Sequence, residues 1–137
     1  MPLNSDNQDN TDIRSRQREP AIEVIRKRSD FLAANRGKRF VAPDFVLLCH
    51  PRPDSHPVPP DMKRFGITVT KKIGNAVARN RMKRRFRALI AETLPEHGLS
   101  GADHILIGRK QARERSFADM KTDLIKGLTH LARKAGR

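Results

Sequence analysis

Arg64-Phe-Gly-Ile-Thr-Val-Thr-Lys-Lys-Ile-Gly-Asn-Ala-Val-Ala-Arg-Asn-Arg-Met-Lys-Arg-Arg-Phe-Arg87 carries a strand, a turn and the start of a helix in one unbroken run. Residues 64–70 alternate. Phe65, Ile67 and Val69 face one way; Arg64, Gly66, Thr68 and Thr70 face the other, which is the period of a half-covered strand. One face can pack on a helix; the other is polar, small and open to a ligand. Past Gly74 the period changes. At about 100° per residue, Met82, Phe86, Leu89, Ile90 and Thr93 share a face, so a helix runs from about Asn75 to Leu94 and is ended by Pro95 and Gly98.

The far side of that helix is cationic. Asn80, Lys83, Arg84 and Arg87 fall together at i, i+3, i+4, i+7 spacing, Arg81 and Arg85 flank them, and Arg79 lies at the margin of the apolar face. No Asp or Glu interrupts the chain from Lys63 to Arg87. Such a face repels itself unless a polyanion neutralises it. Arginine suits a phosphate because its planar fork offers two donors. The plain alternative is a solvated helix face, but ordinary exposed faces mix signs. Charge alone does not separate RNA from DNA, and a localisation patch is a poor fit for a motif inside a folded element. Gly74-Asn75 stands where strand becomes helix. The helix N-terminus there could receive a phosphate, or Gly74 could merely permit a tight turn; spacing leaves both open.

Working outward, the chain has 137 residues, a net charge of +14 and 36% hydrophobic residues. That fits one domain with a modest core and an anionic partner. The longest apolar run, Phe45 to Cys49, is far short of the roughly 20 residues of a membrane span. The polar N-terminus shows no secretory h-region, and one cysteine, Cys49, allows no intrachain disulfide. These features fit a cytoplasmic protein with no membrane association. Trp and Tyr are absent, so any base stacking rests on Phe, His or Arg planes.

Residues 1–24 read as a disordered polar tail. Residues 25–134 form the single domain, and 135–137 a frayed basic end. Ser29-Asp30 can cap a short helix carrying Phe31 and stopping at Gly37. Arg39–Val41 and Asp44–His50 read as strands. Pro51 to Met62 is a proline-rich loop, since prolines so dense suit neither a helix nor a central strand. Asp103–Gly108 is a buried-looking strand, and Ser116 caps a last helix. The order αβββαβα gives an α+β fold, a two-layer α/β sandwich on a four-stranded sheet.

The run Phe65 to Arg85 resembles the signature of the protein subunit of bacterial ribonuclease P. Arg79-Asn80-Arg81 matches that family's Arg-Asn-Arg motif, and Lys83-Arg84 its following Lys-Arg. Asp30-Phe31 resembles its first helix, and Asp103 to Lys110 its last strand and exit. The resemblance implies a left-handed βαβ crossover, against the usual hand. It implies a catalytic ribonuclease P RNA and precursor tRNA as partners, with no obligate protein partner. The RNA, using Mg²⁺ held mainly by itself and the substrate, removes the 5′ leader. By position, Arg79, Asn80, Arg81, Lys83 and Arg84 contact the RNA subunit, and Arg87 joins them by helical spacing. Lys71, Lys72, Asn75, Arg109 and Lys110 lie near the active centre and precursor tRNA. Phe31, with Phe45 and Thr68 on the sheet, lines the leader cleft. No protein residue is catalytic and none holds a metal. The chain departs from the family at Ala88, Ala91, Asn35 and Leu48, where acidic or amide, arginine and aromatic residues are usual.

Elsewhere the five histidines are scattered without metal spacing. Cys49 reads as a small buried hydrophobe, and Asp61 and Asp103 as strand-edge caps. No nucleophile–base pair stands out. A free-standing RNA-binding protein would explain the charge and the fold equally, though not the long motif. A self-sufficient nuclease would have to cleave without RNA.

Overall fold

A computed structural model describes residues 22–134. Five strands, β1 (Ile22–Val24), β2 (Lys38–Val41), β3 (Phe45–Pro51), β4 (Lys63–Thr68) and β5 (Ala102–Gly108), form one sheet. Their order is β1-β4-β5-β3-β2. β1, β4 and β5 run parallel; β3 is antiparallel to both β5 and β2. Three helices accompany them: α1 (Arg28–Ala34), α2 (Ala76–His97) and α3 (Phe117–Lys134).

The sheet is five-stranded where four strands were expected. Ile22–Val24, read as the end of a polar tail, pairs in parallel with Lys63–Phe65. The rest of that tail, and residues 135–137, which were expected to fray, lie outside the described residues.

Strand alternation divides the apolar residues between two faces. Phe45, Leu47, Cys49 and Leu106 meet Met82, Phe86, Leu89 and Ile90 of α2 and Met120, Leu124 and Leu128 of α3 in the main core. This is the expected two-layer body. Phe65, Ile67 and Val69 pack against it, as their alternation required. Cys49 is 2% exposed, and burial pushes its thiol pKa up to about 12. On the second face, Leu48, Ile105, Ala34 and Ile25 make a smaller cluster with Phe31, Val46 and Ile107 at its margin. Here α1 covers only part of the sheet. It approaches closely because Gly66 has no side chain: a Cβ there would lie 2.5 Å from the Phe31 ring.

α2 and α3 begin at capping residues. The Asn75 side chain accepts from the Ala78 N–H at 2.9 Å, and the Ser116 hydroxyl accepts from the Asp119 N–H at 3.0 Å. Ser29 and Asp30 do not cap α1; Lys27 stands at its N-cap with no side-chain bond. Asp30 sits in the first turn, where its charge suits the helix dipole, and its carboxylate is engaged elsewhere. α2 runs to His97 and carries Pro95 within its last turns. The buried Lys63 ammonium donates to the Leu94 carbonyl at 3.1 Å and the Pro95 carbonyl at 2.8 Å; the Leu94 carbonyl also accepts from the Gly98 N–H at 2.9 Å, which closes the helix end.

Candidate nucleic-acid interface

The apolar face of α2 is buried at Met82, Phe86, Leu89, Ile90, Thr93 and Leu94. Opposite it, Asn80, Arg81, Arg84 and Arg87 are exposed and Lys83 is half-buried. Arg79 and Arg85 serve structure. Arg79 donates to the Gly74 carbonyl at 2.8 Å, tying the helix to the turn before it. Arg85 donates to the Ala112 carbonyl at 2.8 Å and also to that of Arg115. Burial, then the charge of Arg81, lowers its pKa. Lys63 and Arg64, counted within the basic run, are 4% and 5% exposed and add nothing to the surface stripe.

The strand register gathers the other cations at one end of the sheet. Thr68 pairs with Ile107 and Phe45 with Gly108, so β4 and β5 finish side by side next to the β2–β3 turn. From β4 the chain enters a 3₁₀ turn at Lys71–Ile73, and from β5 a second at Lys110–Arg113. Lys71, Lys72, Asn75, Arg109 and Lys110 are all exposed there. Arg109 donates to the Ala42 carbonyl at 2.9 Å, and Arg113 to the Ile73 carbonyl at 3.1 Å. Gly74 has φ +150°, a conformation that favours glycine, which supports the turn reading of that residue. Among the described residues, none of these surface cations pairs with a carboxylate.

Thr68 lies half-buried on the partly open sheet face, the face that Phe31 covers at Gly66. Phe45 does not belong to this face. It is fully buried on the opposite one, edge-on to Phe86 with ring centroids 6.2 Å apart. Its neighbour Val46, with Ile107, takes the place expected for it. The run Phe45–Cys49 is apolar at every position, as in a strand covered on both sides, so alternation could not show which residues faced outward.

The sequence reading also missed a buried ionic network. Asp103, taken for a strand-edge cap, is 2% exposed. It accepts from Arg64 Nε and Nη2, both at 2.8 Å, and from Arg52 Nη1 at 2.8 Å. Burial would raise its pKa, but these two guanidinium groups hold it below the usual carboxylate value. Its place in an apolar strand was the one available signal, since a lone buried carboxylate needs a cationic partner.

Among the described residues, no group of three or more His, Cys, Asp or Glu side chains could hold a metal ion. The exposed cluster of lysines and arginine at the sheet end does not fit a divalent cation. No helix among these residues is long and apolar enough to cross a membrane.

A carboxylate-free cationic ridge, joined to a partly open sheet face on an α+β frame, defines a polyanion-binding protein. The ribonuclease P family model matches residues 20–132. The ribonuclease P protein component of Erythrobacter litoralis is 58% identical over 105 residues, which cover 77% of this chain and 82% of that one. That of Gluconacetobacter diazotrophicus is 44% identical over 113 residues, covering 82% and 90%. The solved RNase P protein of Staphylococcus aureus aligns with TM-score 0.64 at 28% identity, covering 79% of this chain and 94% of that one. That of Thermotoga maritima aligns at 0.60 and 29% identity, covering 74% and 91%. The chain belongs to the ribonuclease P protein family. It is thereby the protein subunit of a ribonucleoprotein endoribonuclease of tRNA 5′-end processing, whose catalysis rests on the ribonuclease P RNA.

Proposed function

We propose that the cationic face of α2 docks on the ribonuclease P RNA while the second sheet face, roofed in part by α1, receives the 5′ leader of precursor tRNA in the cytoplasm. Asn80, Arg81, Lys83, Arg84 and Arg87 meet the RNA subunit, with Arg79 behind them holding the turn. Lys71, Lys72, Asn75, Arg109 and Lys110 stand beside precursor tRNA where the leader leaves the body of the substrate. Phe31 and Thr68 line the leader path, with Val46 and Ile107 in the place first given to Phe45. The observation that carries this reading is the convergence of cations from two separate segments on the one sheet end that adjoins both α2 and the open face.

The protein contributes positioning and charge. Fixed ammonium and guanidinium groups replace counterions along the phosphates, so RNA and substrate approach one another at lower divalent-ion concentration. The Mg²⁺ of the reaction belongs to RNA and substrate. The test is labelled precursor tRNA incubated at low Mg²⁺ with a bacterial ribonuclease P RNA, with and without this protein, and with protein alone. Cleavage at the mature 5′ end only when both are present is the expected result. Tight RNA binding without stimulation would leave a general RNA-binding protein. Cleavage by the protein alone would place catalytic groups on it.

A further inference from the structure

We infer that the proline-rich loop 51–62 is a strut that fixes α1 over the sheet, with His56 as the residue joining loop to helix; this rests on the leader path proposed above. The loop closes around one buried guanidinium. Arg52, near its start, donates to the Pro59 carbonyl at 3.0 Å, to the Met62 carbonyl at 2.6 Å and to Asp103 at 2.8 Å. Start, bend and end of the loop are thus tied to the sheet.

The loop then reaches α1. His56 Nδ1 accepts from the Val58 N–H at 3.1 Å. That leaves Nε2 to carry the proton and donate to Asp30 Oδ1 at 3.2 Å. On its other oxygen, Asp30 accepts from Arg64 Nη1 at 3.3 Å. Burial would raise the Asp30 pKa, but the His56 hydrogen bond and the Arg64 charge lower it. Asp30 is gripped from the sheet by Arg64 and from the loop by His56.

Asp30 directly precedes Phe31, whose ring lies on Gly66. α1 has seven residues and only Ala34 of them is fully buried. A helix this short is not stable alone, and its apolar contacts are few. Its distance from the sheet, and so the width of the leader path, depends on the grip at Asp30. The α2 ridge lies across the sheet from this network and is independent of it.

Two variants of the full chain, reconstituted with the RNA subunit, test the strut. Asparagine in His56→Asn keeps an acceptor for Val58 but stops short of Asp30. Glutamine in His56→Gln extends an amide donor to Asp30. The readout is the affinity for precursor tRNA relative to leaderless tRNA. His56→Asn is expected to lower this ratio about fivefold, the net contribution of one hydrogen bond, and His56→Gln to recover it, with RNA-subunit affinity unchanged in both. A ratio unchanged in His56→Asn, or equally reduced in both variants, overturns the strut. Should the unsubstituted protein show no leader preference, it is the leader path that fails. Hydrogen exchange of the α1 amides then decides the strut: faster exchange in His56→Asn than in the other two proteins supports it, and equal exchange overturns it.

Discussion

His104 and Asp44 are buried ionisable side chains that pull the pH dependence of stability in opposite directions. His104 Nε2 accepts from the Leu99 N–H at 3.1 Å, so Nδ1 bears the hydrogen and donates to the Arg64 carbonyl at 2.9 Å. Burial pushes its pKa from 6.5 down to about 4. The unfolded chain therefore takes up the proton first, and this contribution is lost as pH falls from 6.5 toward 4. Asp44 is fully buried, and burial, then the neighbouring Asp123, pushes its pKa from 3.8 up to about 7. Its contribution is full below 3.8 and is lost as pH rises through 7. Each slope is worth on the order of 3 kcal/mol. Because the two windows overlap, the pair nearly cancels in the unsubstituted protein; urea midpoints from pH 4 to 8 should show His104→Gln exposing the fall in stability toward pH 7 that Asp44 causes, and Asp44→Asn exposing the fall below pH 6.5 that His104 causes. Unchanged profiles in both variants would contradict the assignments. The task of His104 was not legible in the sequence, because the Arg64 carbonyl is forty residues away and is brought near only by the β4–β5 register.

At the scale of elements, α2 divides neighbouring arginines between two tasks. Arg84 is exposed, whereas Arg85 bonds two carbonyls at the approach to α3. Arg84→Glu should weaken RNA-subunit binding at least tenfold and leave thermal unfolding nearly unchanged. Arg85→Glu should lower stability by about 1 to 3 kcal/mol through the unpaired carbonyls. A binding titration and a melting curve on each variant separate the two, and reversed effects would refute the division. β4 and α2 were readable because each writes its own period into a continuous stretch. β1 was not: three residues carry no periodicity, and its partner strand lies some forty positions along the chain. Arg85 was likewise placed on the flank of the cationic face, since helical angle alone cannot show that a distant turn offers it carbonyls.

At the scale of the molecule, charge is sorted by place. Arg81, Arg84 and Arg87 on α2 and Lys71, Lys72, Arg109 and Lys110 at the sheet end are exposed, whereas Asp30 and Asp103 are engaged by Arg64 and Arg52 away from that surface, on a chain of net charge +14. Affinity for the RNA subunit should fall by at least 10³ between 50 and 200 mM salt if six or more phosphates are neutralised. A filter-binding series that stays flat over that range would rule out a phosphate-neutralising ridge. One last property follows from the single cysteine. Cys49 is sealed in the core with its thiol protonated, and the thiolate is the reactive form. The native protein therefore withholds its thiol from labelling reagents. A cysteine introduced at exposed Leu32 of α1 would be the sole reactive handle, ready for a dye or crosslinker without first deleting a native residue.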